Sequence, residues 1–95
     1  MQARIWNDHW WLAHTQPGKL RRKFDAALRR AGFKVLGVLE HRFKPHGYTV
    51  LYLLAESHFA LHTFPECGRT YYEISSCNKP YYLRLLETID GERMA

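Results

Sequence analysis

The residues best suited to chemistry lie in one short segment, residues 53–66, where polar side chains interrupt an apolar run. The apolar residues are typical of a strand in the core. The interrupting residues are Glu56, Ser57, His58 and His62. Since a buried polar group costs free energy unless it finds a hydrogen-bond partner, this concentration of carboxylate, hydroxyl and imidazole groups indicates a site of chemistry.

The apolar run is too long to be a single strand. It extends from Tyr48 to Phe64, well beyond the roughly 3–10 residues of most strands. We therefore expect a bend at Ala55-Glu56-Ser57, with one strand over residues 48–55 before it and another over residues 58–64 after it.

A turn predicted at residues 65–68 pairs this second strand with the one that follows it. In a regular antiparallel hairpin, Ser57 then faces Ser76 and Glu56 faces Cys77. A slip of one residue would instead place Ser57 opposite Cys77. In either register the Cys77 thiol lies beside the Glu56–Ser57 peptide bond.

The two histidines of the segment are harder to place. His62 follows Ser57 by five residues, so strict alternation puts the two side chains on opposite faces, although a break at Ser57 could bring them together. Without a chemical role, each histidine would be a core residue bonded to a backbone carbonyl, and we favour this interpretation for His58.

We predict no metal site, because the histidines are too far apart on a strand and Cys67 and Cys77 form no C-x-x-C pair. A Ser/His/Cys set could also support hydrolysis, but no G-x-S-x-G motif flanks the serine.

The elements that position these residues follow from hydrophobic periodicity and turn residues. We predict strands at residues 4–13, 33–43, 48–55, 58–64 and 69–77, and helices at residues 19–31 and 81–89. Gly32 suits the C-cap of the first helix, and residues 90–95 are expected to be loose. The order β-α-β-β-β-β-α predicts an α+β two-layer sandwich, an antiparallel sheet with helices packed on one face. The other face would be exposed or used for dimerisation.

Composition bounds the class of protein. The 95 residues form one small domain, and the net charge of +5 permits nucleic-acid binding without indicating it. The basic residues of the first predicted helix are better explained as a solvated outer face, since no aromatic residues interleave with them. No apolar run approaches the roughly 20 residues of a membrane span. We expect a cytoplasmic protein with no membrane or nucleic-acid partner. Its two thiols are expected to be free, because a Cys67–Cys77 bridge would be unusual in the cytosol.

Two motifs resemble those of the bacterial and archaeal S-adenosylmethionine decarboxylase proenzymes. Residues 55–68, A-E-S-H-F-A-L-H-T-F-P-E-C-G, are similar to the family's E-S-H, its histidine five residues after the serine, and its T-W-P-E-x-G. The family's acid cysteine lies 20 residues after that serine, at the position of Cys77. Residues 41–47, H-R-F-K-P-H-G, resemble the family's H-R-F-x-P-x-G. The agreement of several spaced elements makes the resemblance specific.

The resemblance implies that the chain cleaves itself between Glu56 and Ser57. The serine hydroxyl would attack the preceding carbonyl, and elimination of the resulting ester would lead to an N-terminal pyruvoyl group derived from Ser57. His62 and Thr49 match the family's processing histidine and serine. The pyruvoyl group is a Schiff-base cofactor for decarboxylation, comparable to pyridoxal phosphate. Cys77 matches the residue that returns a proton to the substrate.

The resemblance also implies a substrate and an assembly. Phe43 and Glu66 lie in matching motifs and would contact the small-molecule substrate, S-adenosylmethionine, on the route to spermidine. Family members form homodimers with active sites near the interface. Departures at Tyr48, Val50 and Cys67 alter the expected pocket, which leaves a basic amino acid such as arginine or ornithine as the alternative substrate. The alternative of another class is a non-catalytic interaction subunit or a nucleic-acid-binding homologue.

Overall fold

The computed structural model describes residues 3–95, which form one five-stranded sheet and two helices. The elements in chain order are β1 (Trp6–Leu12), α1 (Pro17–Ala31), β2 (Val35–Arg42), β3 (Tyr48–Leu54), β4 (Ser57–Phe64), a 3₁₀ turn (Pro65–Cys67), β5 (Arg69–Ser76) and α2 (Lys79–Asp90). All strand pairs are antiparallel in the order β1-β5-β4-β3-β2. The predicted α+β two-layer sandwich is confirmed, and β4, which carries most of the polar segment, is its middle strand.

Helix α1 packs on the sheet through one apolar stripe, whose buried residues are Leu20, Phe24, Ala27, Leu28 and Ala31. The ring of Phe24 lies 5.0 Å from the ring of Phe59 in β4, so the helix is anchored directly over the middle strand. Gly32 ends the helix in the left-handed conformation, with φ of 109°, as the sequence predicts. Within residues 3–95, no helix has the length and apolar character needed to cross a membrane.

Helix α2 begins earlier than its periodicity predicts. Asn78 caps it, because its side-chain oxygen accepts a hydrogen bond of 3.0 Å from the Tyr81 N–H. Lys79 and Pro80 therefore belong to the helix and do not precede it. Proline is tolerated there because the N–H groups of a first helical turn have no partner within the helix.

The prediction of a loose C-terminal segment is wrong for the residues that follow α2. The Met94 N–H donates a hydrogen bond of 2.9 Å to the Trp11 carbonyl oxygen, and Arg93 forms a β-bridge with Leu12. The indole N–H of Trp10 donates a further hydrogen bond of 3.0 Å to the Met94 carbonyl. These contacts are long-range in sequence, so periodicity alone contains no signal for them.

The face of the sheet opposite the helices, called the open face below, is not covered by any element of residues 3–95. Its β2–β3 side carries three exposed leucines, of which Leu39 is 74%, Leu51 44% and Leu53 59% exposed. Leu39 and Leu51 are cross-strand partners, so the side chains form a continuous patch. Exposed apolar patches of this kind are typical of protein interfaces.

Candidate active site

The site is built around the two-residue turn that joins β3 to β4. This turn, Ala55–Glu56, confirms the predicted bend, although β4 begins at Ser57 itself. Glu56 has φ of 55°, a left-handed conformation that residues with a β-carbon seldom adopt. Such a conformation costs about 1–3 kcal/mol and is concentrated at functional sites. The strained residue here is the one that precedes the serine.

The hydroxyl of Ser57 lies on the helix side of the sheet and is buried. Ser57 pairs with Ser76, which confirms the regular hairpin register and excludes the slipped one. Its hydroxyl donates a hydrogen bond of 2.9 Å to the Ser76 Oγ. That oxygen also accepts a bond of 3.0 Å from the Asn78 N–H. The Ser57 hydroxyl therefore uses its proton in this bond and keeps its oxygen lone pairs for attack on a carbonyl carbon. The sequence analysis identified Ser76 only as the strand partner of Ser57 and not as a site residue.

The thiol of Cys77 lies beside the turn, as the register predicts. It donates a hydrogen bond of 3.3 Å to the Glu56 carboxylate. This bond, with a smaller contribution from desolvation, raises the pKa of the Cys77 thiol above its ordinary value. Both Cys67 and Cys77 are free, as expected. The thiol form of Cys77, which can donate a proton, is thus favoured.

The opposite end of β4 carries a second cluster. A cleft of about 290 Å³ is lined by Phe43, Thr49, His62 and Glu66 together with neighbouring residues. Thr49 and His62 are cross-strand partners, and the Thr49 Oγ1 lies 2.8 Å from the His62 Nδ1. The structure thus brings together four of the predicted site residues, but at a distance from the other three, Glu56, Ser57 and Cys77.

A single chain does not bring His62 to Ser57. The imidazole is on the open face, where it stacks on Tyr71 with ring centroids 6.1 Å apart, whereas the Ser57 hydroxyl is on the helix side. Five residues of extended strand also separate them by about 16 Å. Of the two arrangements that the sequence allowed, the structure has the one that strict alternation predicts.

Two aromatic or ionisable neighbours of the cleft were not identified from the sequence. The His46 Nε2 lies 3.4 Å from a Glu66 carboxylate oxygen, and the rings of His41 and Phe43 are 4.5 Å apart. Both histidines belong to the H-R-F-K-P-H-G segment that contains Phe43. Their closeness to Phe43 in the sequence was therefore the signal that could have identified them as neighbours of the cleft. The contact with Glu66 depends on the packing of the 3₁₀ turn and could not be derived.

The interpretation of His58 as a core histidine is wrong. Its side chain is exposed, because residues His58, Ala60 and His62 alternate onto the open face while Phe59 and Leu61 face the helices. His58 has Leu53 as its cross-strand partner.

The fold and the site together define a small α+β sandwich protein with a buried serine at a strained turn and a thiol beside it. A solved structure with the same fold is the adenosylmethionine decarboxylase from Aquifex aeolicus, with a TM-score of 0.78 and 22% identity over 96% of this chain and 81% of that one. The family described as S-adenosylmethionine decarboxylase matches residues 13–89. The chain belongs to this family, which confirms the resemblance seen in its motifs.

Curated relatives from bacteria and archaea agree with this assignment. The S-adenosylmethionine decarboxylase proenzyme of Synechococcus sp. strain WH7803 is 45% identical over 58 residues, which are 61% of this chain and 45% of that protein. The proenzyme of the same name from Methanococcus vannielii is 34% identical over 64 residues, 67% of this chain and 52% of that protein. The chain therefore matches about half the length of these relatives.

Proposed function

We propose that this protein is a pyruvoyl-dependent S-adenosylmethionine decarboxylase that matures by cleaving itself between Glu56 and Ser57. The observation that carries the proposal is the strained turn at Glu56, with the Ser57 hydroxyl and the Cys77 thiol both beside it, in a chain whose relatives are named decarboxylase proenzymes. The product, decarboxylated S-adenosylmethionine, would supply the aminopropyl group for spermidine synthesis. Two free cysteines are consistent with a cytoplasmic location.

The residues at the turn fit the formation of a pyruvoyl group. The Ser57 Oγ attacks the Glu56 carbonyl carbon, the C–N bond breaks, and the released nitrogen takes up a proton, which leaves an ester. Loss of the Ser57 α-proton and cleavage of the Cβ–Oγ bond then release Glu56 as a carboxylate. Water replaces the nitrogen at residue 57, and ammonia leaves. Ser76 supports the first step because it accepts the hydrogen bond of the attacking hydroxyl.

Cys77 is proposed to donate the proton in catalysis. A pyruvoyl group supplies the electron sink on which an α-amino acid loses CO₂. The product needs one proton at its α-carbon, and the Cys77 thiol lies beside residue 57 with its proton held by the Glu56 carboxylate. A group that stays protonated at neutral pH is suited to this general-acid role.

The cleft at the other end of β4 is proposed to bind the substrate through Phe43 and Glu66. One of the departures that favoured a basic amino acid, Val50, carries less weight in the folded chain. Val50 is fully buried and Tyr48 is 1% exposed, with its hydroxyl bonded to Glu40. Val50 therefore does not line the cleft, whereas Tyr48 does, so the proposal of S-adenosylmethionine as the substrate rests on the residues that match the family motifs.

The separation of the two clusters supports a site shared between two chains. His62 and Thr49 lie on the open face at one end of β4, whereas Ser57 and Cys77 lie at the other end. The leucine patch on the same face is suited to association with a second copy. In a two-fold symmetric dimer with the open faces in contact, His62 of one protomer would approach the Glu56–Ser57 peptide bond of its partner from the open face, opposite to the Ser57 hydroxyl on the helix side.

Substrate identity is tested by a decarboxylation assay on purified, processed protein. We expect CO₂ release from S-adenosylmethionine and none above background from arginine or ornithine, because the cleft keeps Phe43 and Glu66, which match the family motifs. Turnover of arginine or ornithine without turnover of S-adenosylmethionine would contradict the proposed substrate. Processed protein that turns over none of the three would contradict the proposed decarboxylase.

The shared site is tested by co-expressing two inactive variants with different tags. Neither Ser57→Ala nor His62→Ala alone should be cleaved efficiently. In mixed dimers the His62→Ala chain receives His62 from its partner, so we expect fragments of that chain only, detected by intact mass. If His62 acts within its own chain, the mixture will yield no more fragments than the His62→Ala protein alone.

A further inference from the structure

We propose that Glu56 is a positioning residue for the proton donor, which orients the Cys77 thiol toward the turn and keeps it protonated. The inference deepens the proposed function and rests on it, since it assigns a task to the side chain that precedes the cleaved bond. The proposed cleavage step uses only the backbone carbonyl of this residue. Its side chain is free to act elsewhere in the site.

The backbone places the Glu56 carboxylate and the Cys77 thiol together. The Ser57–Ser76 pair is the last regular pair of the β4–β5 ladder, so Glu56 and Cys77 lie just past the ends of these adjacent strands. The left-handed conformation of Glu56 turns its side chain toward β5, where the Oε2 atom lies 3.3 Å from the Cys77 Sγ. Because both residues adjoin the same strand pair, the contact is built into the hairpin and needs no loop rearrangement.

The charge of the carboxylate favours the thiol over the thiolate. A negative charge that accepts the S–H bond disfavours a second negative charge on sulfur, which is the main cause of the raised Cys77 pKa. The Ser57 hydroxyl on β4 acts in the opposite direction, and Lys79 at the start of α2 is exposed. Glu56 is thus the charged group that sets the direction of the effect.

Cleavage would strengthen this effect. When the Glu56–Ser57 bond breaks, Glu56 becomes the C-terminal residue of the first fragment and gains an α-carboxylate. Residue 56 then carries two negative charges where the uncleaved chain has one. The thiol form of Cys77 is favoured further at the moment when the proton donor is needed.

The first test measures the thiol without relying on cleavage or turnover. In uncleaved Ser57→Ala protein that also carries Cys67→Ala, the rate of alkylation of Cys77 by iodoacetamide is followed by mass spectrometry from pH 6 to 10. Adding Glu56→Gln should make alkylation at pH 7 about 1.5- to fivefold faster, the range expected for the loss of one solvent-exposed charge interaction. Glu87→Gln, which removes an equal charge from an exposed position of α2, should leave the rate unchanged. Coinciding profiles with and without Glu56→Gln would overturn the inference.

The second test uses processed enzyme with S-adenosylmethionine. A thiol whose pKa is raised stays protonated to higher pH, so its activity is lost only as pH rises through that pKa. Glu56→Gln should therefore move the alkaline limb of kcat/KM to lower pH, with little change in KM. If the enzyme is active and Glu56→Gln leaves the alkaline limb of kcat/KM unchanged, the inference is overturned. An inactive wild-type protein would contradict the proposed function and leave the alkylation result standing as the test of the Glu56–Cys77 interaction.

Discussion

Replacing Ser57 by alanine is expected to abolish self-cleavage completely. Wild-type protein should show two masses, one for residues 1–56 and one for a chain that begins at residue 57 with a pyruvoyl group in place of serine. The Ser57→Ala protein should show one mass, that of the full chain, because the attacking oxygen is gone. Intact-mass spectrometry under denaturing conditions distinguishes the two results directly.

The variant should still fold, which makes the loss of cleavage interpretable. Ser57→Ala removes one buried hydrogen bond to Ser76, a loss of about 0.5–1.5 kcal/mol, and circular dichroism should show an unchanged spectrum. Ser75→Ala is a matched control on the neighbouring strand, and it should be cleaved normally. Fragments in the Ser57→Ala protein would place the scissile bond elsewhere. A wild-type chain that stays intact under all conditions would contradict the pyruvoyl mechanism.

The second large effect is expected at Cys77. Cys77→Ala should be cleaved like wild type but should turn over S-adenosylmethionine about 10²–10⁴-fold more slowly, the range typical for loss of a general acid. Cleavage should be unaffected, because in the proposed mechanism the attacking group is the Ser57 hydroxyl and not the thiol. Fragment masses and CO₂ release measured on the same preparation separate the two steps.

The control for this variant is the other free cysteine. Cys67 is exposed in the turn before β5, so Cys67→Ala should be cleaved and should retain wild-type turnover. If Cys77→Ala also retains wild-type turnover, Cys77 is not the proton donor. If Cys77→Ala is not cleaved, the thiol acts in processing, and the assignment of separate roles to Ser57 and Cys77 is wrong.

The sequence by itself determined the turn and the neighbours across it. Gly32 marked the end of α1, the length of the apolar run required a bend before Ser57, and the turn at residues 65–68 set the register that pairs Ser57 with Ser76. These features depend on local geometry, on the two-residue period of a strand and on residues that favour turns. Once the turns are known, the proximity of Cys77 to the Glu56–Ser57 bond follows by counting.

Only the tertiary structure decided which face each side chain occupies. Strand alternation separates two sets of residues, but the packing of α1 and α2 determines which set is buried. Because the helices cover the side that carries Phe59, His58 and His62 are left on the open face and Ser57 is buried. The same packing determines that Val50 belongs to the core and not to the cleft that is proposed to bind the substrate.

The tertiary structure also decided how the candidate site is divided. Phe43, Thr49, His62 and Glu66 come from separate parts of the chain and meet in one cleft because three consecutive antiparallel segments lie side by side. Ser57 is at the far end of the same strand, since an extended strand cannot fold back on itself. The sequence places these residues in or between two motifs, but the rigidity of β4 keeps Ser57 apart from the other four within one protomer.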